Sequence, residues 1–404
     1  MKWEKVKLGD VCEITSSKRI FYSEYVDDGV PFYRSKEIIE SDEGKVIENP
    51  LYISVDKYNE IKEKFGVPQT GDMLLTSVGT IGIPYIIKKN DCFYFKDGNL
   101  TWFRDFREGL NSKYLYYWIK SSEGTGILYN TTIGSSQKAL TISALKNIKV
   151  SLPLRSVQDK IVEVVSAYDD LIENNQKQIK LLEEAAQRLY KEWFVDLRFP
   201  GHENMKIVDG VPEGWSIYPF SSKVDIMSGG TPKTSIPDYY NGKIPFYTPK
   251  DSDGAFFAYK TQMNITEGGL KNCNSRLYPP QTVIITARGT VGKTTILAVP
   301  MAMNQSCYAL KMKENDAPYY LFFALNNEIK ALQTMANGGV FNTIIGKTFD
   351  SINIQIPKDP LIYEFEETVR PFMEQIKNKL QANSKLVEAR NRLLPKMMSG
   401  KVEV

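Results

Sequence analysis

One long amphipathic segment occurs twice in this chain, and this repeat constrains the fold more than any other feature. Residues 153–193 place apolar side chains at alternating steps of three and four, which predicts a long helix that packs along a partner helix. The pattern returns after a shift of 204 residues, so that Pro153 corresponds to Pro357 and Arg188 to Arg392. Because the shift is the same at both landmarks, the two helices have equal lengths, as expected of helices that pair with each other.

The apolar seam of these helices can be followed residue by residue. In the first copy it runs through Ile161, Val165, Tyr168, Ile172, Ile179, Leu182, Ala186, Leu189 and Trp193, and in the second through Phe365, Val369, Phe372, Ile376, Asn383, Leu386, Leu393 and Met397. Polar Asn175 fills a gap in the first seam. It either fixes the register opposite the polar stretch around Lys379 or merely tolerates a solvated position.

The segments that precede the two helices also repeat, with drift. IPFY at 244–247 corresponds to VPFY at 30–33, and ARGTVG at 287–292 corresponds to SVGTIG at 77–82. The shift falls from 214 to 204 along the repeat, so insertions and deletions lie in loops. Two modules that bind different targets would share a scaffold and differ in their loops. Duplication followed by neutral drift would give the same pattern.

The repeat divides the chain into four parts. Residues 1–152 are the first globular domain and residues 153–200 the central helix. Residues 201–356 are the second globular domain, with a linker rich in Pro and Gly at 201–215, and residues 357–404 are the distal helix. The predicted fold class is α/β (α+β), in which two long antiparallel coiled-coil helices separate two globular domains related by a pseudo-two-fold axis. About 38 helical residues give a spacer of roughly 57 Å, or about one and a half turns of duplex DNA.

Three local expectations follow from helix chemistry. Residues 111–119 (NSKYLYYWI) predict a helix whose aromatic residues pack in the core or, alternatively, stack on bases. Pro371 lies inside the second long helix and predicts a kink or a restart, because proline lacks the backbone donor. Pro395 and Gly400 are expected to end that helix.

Composition and missing motifs argue against an enzyme. The 404 residues carry a net charge of only +3, so any nucleic-acid surface must be local. The N-terminus lacks a signal peptide and no apolar run could span a bilayer, which predicts a cytoplasmic protein. The one histidine, His202, lies in the linker, so histidine-based catalysis or metal binding is not expected. Gly292-Lys293-Thr294 resembles the end of a phosphate-binding loop, but Ala287 occupies the position of its first glycine.

Three segments carry a resemblance to a known family: RLYKEWFVDLRFPGHE (188–203), VPEGW (211–215) and RLLPKMMSGKV (392–402). With the repeated plan of domain and helix, the whole chain resembles the specificity (S) subunit of type I restriction–modification systems. The resemblance implies a non-catalytic DNA-binding subunit in which each target-recognition domain reads one half of a split site. It implies helices that set the unread gap and dock two methyltransferase subunits. No cofactor is then expected in this chain, because partner subunits bind S-adenosylmethionine, ATP and Mg, and the partners are double-stranded DNA, two modification subunits and restriction/translocase subunits.

Candidate contact residues were chosen by residue type and by their matched places in turn-rich segments of the repeat. The DNA-binding candidates are Lys18, Arg19, Arg34, Lys36, Thr80, Gln137, Lys138, Lys233, Thr234, Lys250, Arg288, Thr290, Lys293, Asn342 and Lys347. The partner-binding candidates at the helix ends are Arg188, Trp193, Phe194, Arg392 and Met397. Each DNA candidate has the alternative of being an ordinary surface residue, and each partner candidate that of packing against its own domain.

Two other functions remain open at this point. A self-contained methyltransferase or nuclease would bind S-adenosylmethionine or a metal as an isolated chain. A coiled-coil scaffold or nucleic-acid-binding module outside restriction–modification would show no sequence-dependent retention of duplex DNA with its partners present.

Overall fold

The structure, a computed structural model, describes residues 3–45, 47–134, 138–208, 210–335, 343–357 and 360–402. The chain divides into two compact units. Unit 1 comprises Met1–Asn174 and Ser384–Val404, and unit 2 comprises Asn175–Asn383. Each unit therefore contains its own globular part and a portion of both long helices.

Unit 1 is built on two four-stranded sheets and a separate strand pair. Its strands are β1 (Glu4–Lys7), β2 (Glu13–Thr15), β3 (Tyr25–Val26), β4 (Val30–Tyr33), β5 (Leu51–Ile53), β6 (Met73–Thr76), β7 (Pro84–Ile86), β8 (Tyr94–Phe95), β9 (Leu100–Arg104) and β10 (Lys149–Leu152). Its shorter helices are α1 (Ser35–Asp42), α2 (Val55–Lys64), α3 (Ser112–Lys120), α4 (Ser122–Thr131) and α5 (Ile142–Asn147). The sheet orders are β2-β9-β6-β7 and β3-β5-β4-β8, and β1 pairs with β10. The pair β4 and β8 is parallel, and the others are antiparallel.

Helix α3 shows how local sequence and packing agree in unit 1. The Asn111 side chain accepts a hydrogen bond from the Lys113 amide, which caps the helix as its sequence predicts. Tyr114, Tyr117 and Trp118 are buried in the core of unit 1, together with Ile161 and Val165. Core packing of these aromatics is therefore confirmed over base stacking.

Helix α6 (Arg155–Tyr190) leads out of unit 1 and ends in a π-helical turn, Lys191–Val195. Unit 2 follows the same general plan. Its strands are β11 (Ile207–Val208), β12 (Val211–Pro212), β13 (Ser216–Pro219), β14 (Val224–Ser228), β15 (Tyr240–Tyr247), β16 (Phe257–Ala258), β17 (Asn264–Ile265), β18 (Val283–Thr286), β19 (Thr294–Leu297), β20 (Ala302–Met303), β21 (Cys307–Met312) and β22 (Asn353–Ile356). Its helices are α7 (Phe220–Lys223), α8 (Glu267–Lys271), α9 (Pro318–Met335), α10 (Gly346–Asp350) and α11 (Leu361–Met398).

The two main sheets of unit 2 resemble those of unit 1, but one has a strand more and the other a strand fewer. A five-stranded sheet has the order β14-β21-β18-β19-β16, and a three-stranded sheet has the order β17-β15-β20. As in unit 1, the strand with the Pro-Phe-Tyr sequence pairs in parallel with a short strand, here β15 with β20. The predicted fold class of mixed helix and sheet with a repeated framework is confirmed.

Within each unit the long helices are antiparallel. In unit 2, Asn175 Nδ2 donates to Asn383 Oδ1 at 2.8 Å, while the Trp193 ring lies 5.9 Å from the Phe365 ring. Residue numbers thus fall along α11 as they rise along α6. Most predicted seam positions are buried or half-buried, as expected for paired helices.

Three details of the long helices differ from expectation. Asn175 meets Asn383 rather than the stretch around Lys379, because antiparallel packing does not bring together residues that are equivalent in the repeat. Helix α11 continues through Pro371 without a restart. It also continues past Pro395, because buried Met397 and its neighbours anchor the last turn in the core of unit 1. Packing of a buried face outweighs the single backbone bond that each proline removes.

No helix in the described part of the chain is long and apolar enough to cross a membrane. The same residues contain no group of three or more His, Cys, Asp and Glu side chains that could hold a metal ion.

Candidate nucleic-acid interface

A hairpin loop with the sequence SVGTIG joins β6 to β7 in unit 1. Thr76 closes it: its amide donates to Ile83 O at 3.0 Å, and its Oγ1 accepts from the Ile83 amide at 2.9 Å. The Gly82 amide donates to Thr76 O at 2.8 Å. Gly79 has φ +78°, a conformation that a side chain would strain. Because main-chain groups and one hydroxyl hold the loop, its tip residues are free to vary.

The corresponding loop of unit 2, ARGTVG between β18 and β19, is closed in the same way. The Thr286 amide donates to Lys293 O at 2.9 Å, and Thr286 Oγ1 accepts from the Lys293 amide at 3.1 Å. The Gly292 amide donates to Thr286 O at 2.9 Å, and Gly289 has φ +80°. The repeat read from the sequence is thus a repeat of the hydrogen bonds themselves.

A second loop is tied to each hairpin through its first residue. In unit 1 the Leu140 amide donates to Ser77 O at 2.9 Å, and in unit 2 the Ile344 amide donates to Ala287 O at 2.9 Å. This bond places Lys138 near the first hairpin. The equivalent bond in unit 2, from the Ile344 amide, places the loop that leads to Lys347 near the second hairpin.

The turn after the Pro-Phe-Tyr strand brings a lysine to each hairpin. In unit 1 this turn begins helix α1 and contains Lys36, which lines a concave cavity of about 520 Å³ together with Thr80 and Asn99. In unit 2 the Thr290 Oγ1 donates to Pro249 O at 3.2 Å, directly beside Lys250. Lys36 and Thr80 therefore have equivalents in Lys250 and Thr290.

The two turns share a capping arrangement, but their exposed charges differ. The Arg34 amide donates to Glu37 at 2.8 Å and its guanidinium also binds Glu37, so this candidate serves to hold its own turn. Burial tends to raise the pKa of Glu37, but the side-chain and backbone hydrogen bonds from Arg34 hold that pKa below its usual value. In unit 2 the Thr248 amide makes the matching bond to Asp251 at 2.8 Å.

The remaining candidates of unit 1 lie around the same strands. The Lys18 amide donates to the Tyr94 hydroxyl at 2.6 Å, and Arg19 Nε donates to Asp97 at 2.8 Å. Lys138 Nζ lies 3.7 Å from the centre of the exposed Tyr129 ring. Gln137 lies outside the described residues, as does Asn342 of unit 2.

Unit 2 presents its cations with fewer intramolecular partners. Within the residues that the structure describes, the exposed side chains of Lys233, Lys250, Arg288 and Lys347 make no hydrogen bond or ion pair. Thr234, beside Lys233, is also exposed. By contrast, Arg19 and Lys36 of unit 1 are paired with acidic residues. Free lysines and arginines on turns are the groups that neutralise phosphates.

Lys293 differs from these because its ammonium donates to Ser252 O at 3.4 Å. It also lines a cavity of about 940 Å³ together with Arg188 and Phe322. Asn99 and Lys45, which line the cavity of unit 1, were not among the sequence candidates. Nothing local marks Asn99, because the pairing of β6 with β9 and the long-range bond from the Ser77 amide to Asn99 O at 2.8 Å bring it to the hairpin.

The five partner-binding candidates fall into two classes. Trp193 and Phe194 are 8% and 3% exposed and lie in the aromatic core of unit 2, and Met397 is buried in the core of unit 1. Arg188 and Arg392 are exposed. Only these two arginines can reach a partner without repacking of the core.

Comparison with known proteins gives a consistent result. The sequence profile of the type I restriction modification DNA specificity domain matches residues 1–184 and 212–382. The type I restriction enzyme MjaIX specificity subunit of Methanocaldococcus jannaschii is 27% identical and aligns with 100% of this chain and 94% of its own length. The HindI specificity subunit of Haemophilus influenzae is 22% identical, with 99% of both chains aligned. The crystal structure of a type I restriction-modification system S subunit from M. genitalium shares the fold, with a TM-score of 0.60 at 16% identity over 98% of this chain and 96% of that chain.

Proposed function

The chain belongs to the family of type I restriction–modification DNA specificity subunits, and from this premise we propose how it recognises DNA. Unit 1 and unit 2 each read one half of a split site. The paired helices set the length of the unread gap. This assignment is favoured over a scaffold outside restriction–modification, because the relatives that align over the full length are specificity subunits.

One observation supports the proposal that the two units read different base pairs. The hairpins of the two units have the same hydrogen bonds and the same glycine and threonine residues, but Val78 in unit 1 is replaced by Arg288 in unit 2. A common scaffold that carries half-buried Val78 in one unit and exposed Arg288 in the other is suited to reading different base pairs. The shared lysine and threonine, Lys36 and Thr80 or Lys250 and Thr290, supply contacts to phosphate that carry no sequence information.

The chain itself is proposed to catalyse nothing. Two adenine methyltransferase subunits that use S-adenosylmethionine, and restriction subunits that use ATP and Mg, would carry the chemistry. The exposed arginines Arg188 and Arg392 are the proposed docking residues for the modification subunits, because a guanidinium can form paired hydrogen bonds to a partner carboxylate.

The direct test is sequencing of methylated adenine in host DNA with the gene intact and deleted. Loss of one split motif upon deletion is expected. Exchange of residues 216–356 for those of a relative should then change only one half of the motif. If a methyltransferase purifies with the chain and methylates DNA, but the motif does not change upon deletion or exchange, the proposal is wrong.

Arg288→Ala is expected to weaken binding of the assembled complex to its site about 10- to 100-fold, since a bidentate arginine–guanine contact is worth about 1–3 kcal/mol. Discrimination should relax at one base pair of the half-site that unit 2 reads. Competition binding with duplexes substituted at each position measures both effects. Lys311→Ala, which removes an exposed charge on β21 away from the hairpin, is the matched control. Unchanged affinity and unchanged methylation in the Arg288 variant would refute this role.

A further inference from the structure

Two aromatic side chains stand in solvent on the turn between β2 and β3. Phe21 is 62% exposed and Tyr22 is 91% exposed. Ile20, immediately before them, is 7% exposed and belongs to the apolar cluster that includes Phe32. The burial of Ile20 anchors this turn while the next two side chains point away from the core.

The turn is built rigidly. The Phe21 amide donates to Glu24 Oε2 at 2.7 Å, and the Glu24 amide donates to Phe21 O at 3.0 Å. Lys57 Nζ lies 3.0 Å from Glu24 Oε1 and ties the turn to helix α2. The hydrogen bond from Phe21 and the Lys57 ammonium hold the pKa of Glu24 below its usual value, so the carboxylate keeps its charge. The structure thus fixes the main chain of the turn, and the Tyr22 ring meets the Tyr25 ring edge-on at 6.0 Å. Both Phe21 and Tyr22 remain largely exposed to water, where aromatic surface is unfavourable unless a partner covers it.

A series of contacts connects this turn to the candidate interface of unit 1. Arg19, two residues before Phe21, is paired with Asp97 at 2.8 Å. Asp97 is followed closely by Asn99, whose carbonyl accepts the amide of Ser77 at the start of the hairpin. Asn99 also lines the cavity that contains Lys36 and Thr80. The aromatic pair therefore belongs to the same neighbourhood as the proposed phosphate contacts.

Unit 2 has no equivalent of this pair. At the shift of 214 that relates the two Pro-Phe-Tyr strands, Phe21 and Tyr22 correspond to Ser235 and Ile236, while Tyr239 in the turn of unit 2 corresponds to Tyr25. The rings are therefore not part of the repeated framework. The aromatic pair is one of the features in which unit 1 differs from unit 2.

We propose that Phe21 and Tyr22 stack on, or insert between, bases of the half-site that unit 1 reads. This deepens the proposed function and rests on it. Nucleic acid is the favoured occupant because Lys18 and Arg19 flank the rings, and aromatic faces beside cations are a common means of holding bases. Inserted apolar side chains also kink a duplex, which gives specificity through the deformability of the step.

The test uses the complex of the chain with its methyltransferase and a duplex carrying the motif identified by sequencing. Phe21→Ala combined with Tyr22→Ala should lower the affinity about tenfold or more, because stacking is lost. The dependence of the affinity on salt concentration should keep its slope, because no charge is removed. Lys18→Ala should instead make that slope shallower by about one ionic contact.

Three controls separate the explanations. Tyr22→Phe keeps the ring and should retain binding, whereas Tyr22→Ala removes the ring without changing the charge and should weaken binding. Tyr363→Ala removes a tyrosine of 68% exposure on α11 and should have no effect.

Unchanged affinity in the double alanine variant would overturn the inference. Loss of the methyltransferase from the purified complex, with normal DNA binding by the complex that does form, would also overturn it and make the pair a protein-docking site. A wild-type complex with no preference for the sequenced motif would instead refute the proposed function itself.

Discussion

Replacement of Phe365 by alanine is expected to lower the free energy of unfolding by about 3–5 kcal/mol, as for other fully buried aromatic residues. Phe365 is 0% exposed and lies where α11 meets the end of α6. Its ring centre is 5.1 Å from that of Phe194, 5.9 Å from Trp193 and 6.0 Å from Tyr190. The substitution leaves a cavity among several rigid rings, which cannot close around it by rotation of their side chains.

Urea-induced unfolding, combined with amide hydrogen exchange in β18 and β21, measures this effect in unit 2. Tyr363→Ala is the control, because it removes an aromatic ring of 68% exposure two residues away on the same helix. A loss below about 1 kcal/mol for Phe365→Ala would show that this aromatic cluster does not support the fold.

The result also bears on partner binding. Variants of Trp193 and Phe194 should lose partner binding because unit 2 unfolds. Arg188→Ala, which removes an exposed side chain, is therefore the cleaner test of docking.

The second large effect is a loss of stability as the pH rises from 4.5 to about 7, which Glu366→Gln should diminish. Glu366 is 3% exposed, and its Oε1 accepts the amide of Tyr320 at 2.7 Å in the first turn of α9. Its Oε2 has no partner within the described residues. Burial raises the pKa of this carboxyl from 4.5 to about 7, although the hydrogen bond from Tyr320 opposes the shift.

The sign of the effect follows from proton binding. Between pH 4.5 and about 7 the folded protein holds the proton on Glu366 and the unfolded chain releases it, so stability falls as the pH rises through this window. At about 1.4 kcal/mol per pKa unit, the full loss is about 3 kcal/mol. Burial also raises the pKa of Glu183 to about 7, so the wild-type profile should contain both groups.

In unit 1 an uncharged amide side chain accepts a main-chain amide at the start of a helix, as the Glu366 carboxyl does in unit 2. Gln158 Oε1 accepts the amide of Asn111 at the start of α3, and its Nε2 donates to Gly109 O and Pro153 O. Chemical denaturation at pH 5, 6.5 and 8 therefore compares wild type, Glu366→Gln and Glu183→Gln. We expect Glu366→Gln to gain most at pH 8. Parallel profiles for wild type and the Glu366 variant would mean that this carboxyl does not titrate in the window.

The sequence predicted most reliably what depends on local pattern. The spacing of Ile161 and Val165 identified the buried face of α6. The Gly-Thr-hydrophobic-Gly segments were identified as a repeated turn, and in the structure these turns are hairpins that share their hydrogen bonds. Asn111 marked the start of α3. These features require only periodicity, capping and internal comparison.

Contacts between residues far apart in the sequence could not be predicted from local pattern. The partner of Asn175 depends on how antiparallel helices align, and the place of Asn99 beside the hairpin depends on sheet topology. The restart expected at Pro371 and the helix end expected at Pro395 were wrong for a related reason: the local cost of each proline was visible in the sequence, but the packing that offsets it was not. The exposure of Phe21 and Tyr22 likewise appears only when the rest of the core is known to exclude them.

The closure of the two hairpins has a consequence for how this protein can evolve. Thr76 and Thr286 complete their loops with bonds to main-chain atoms, so a substitution at Val78 or Arg288 leaves the closure intact. At Arg288, which is exposed, such a mutation changes the chemistry offered at the tip with little penalty in folding. Under the proposed function, a lineage can thus acquire a new preference in one half of its target while inheriting the other half unchanged. Diversification would then proceed one half-site at a time.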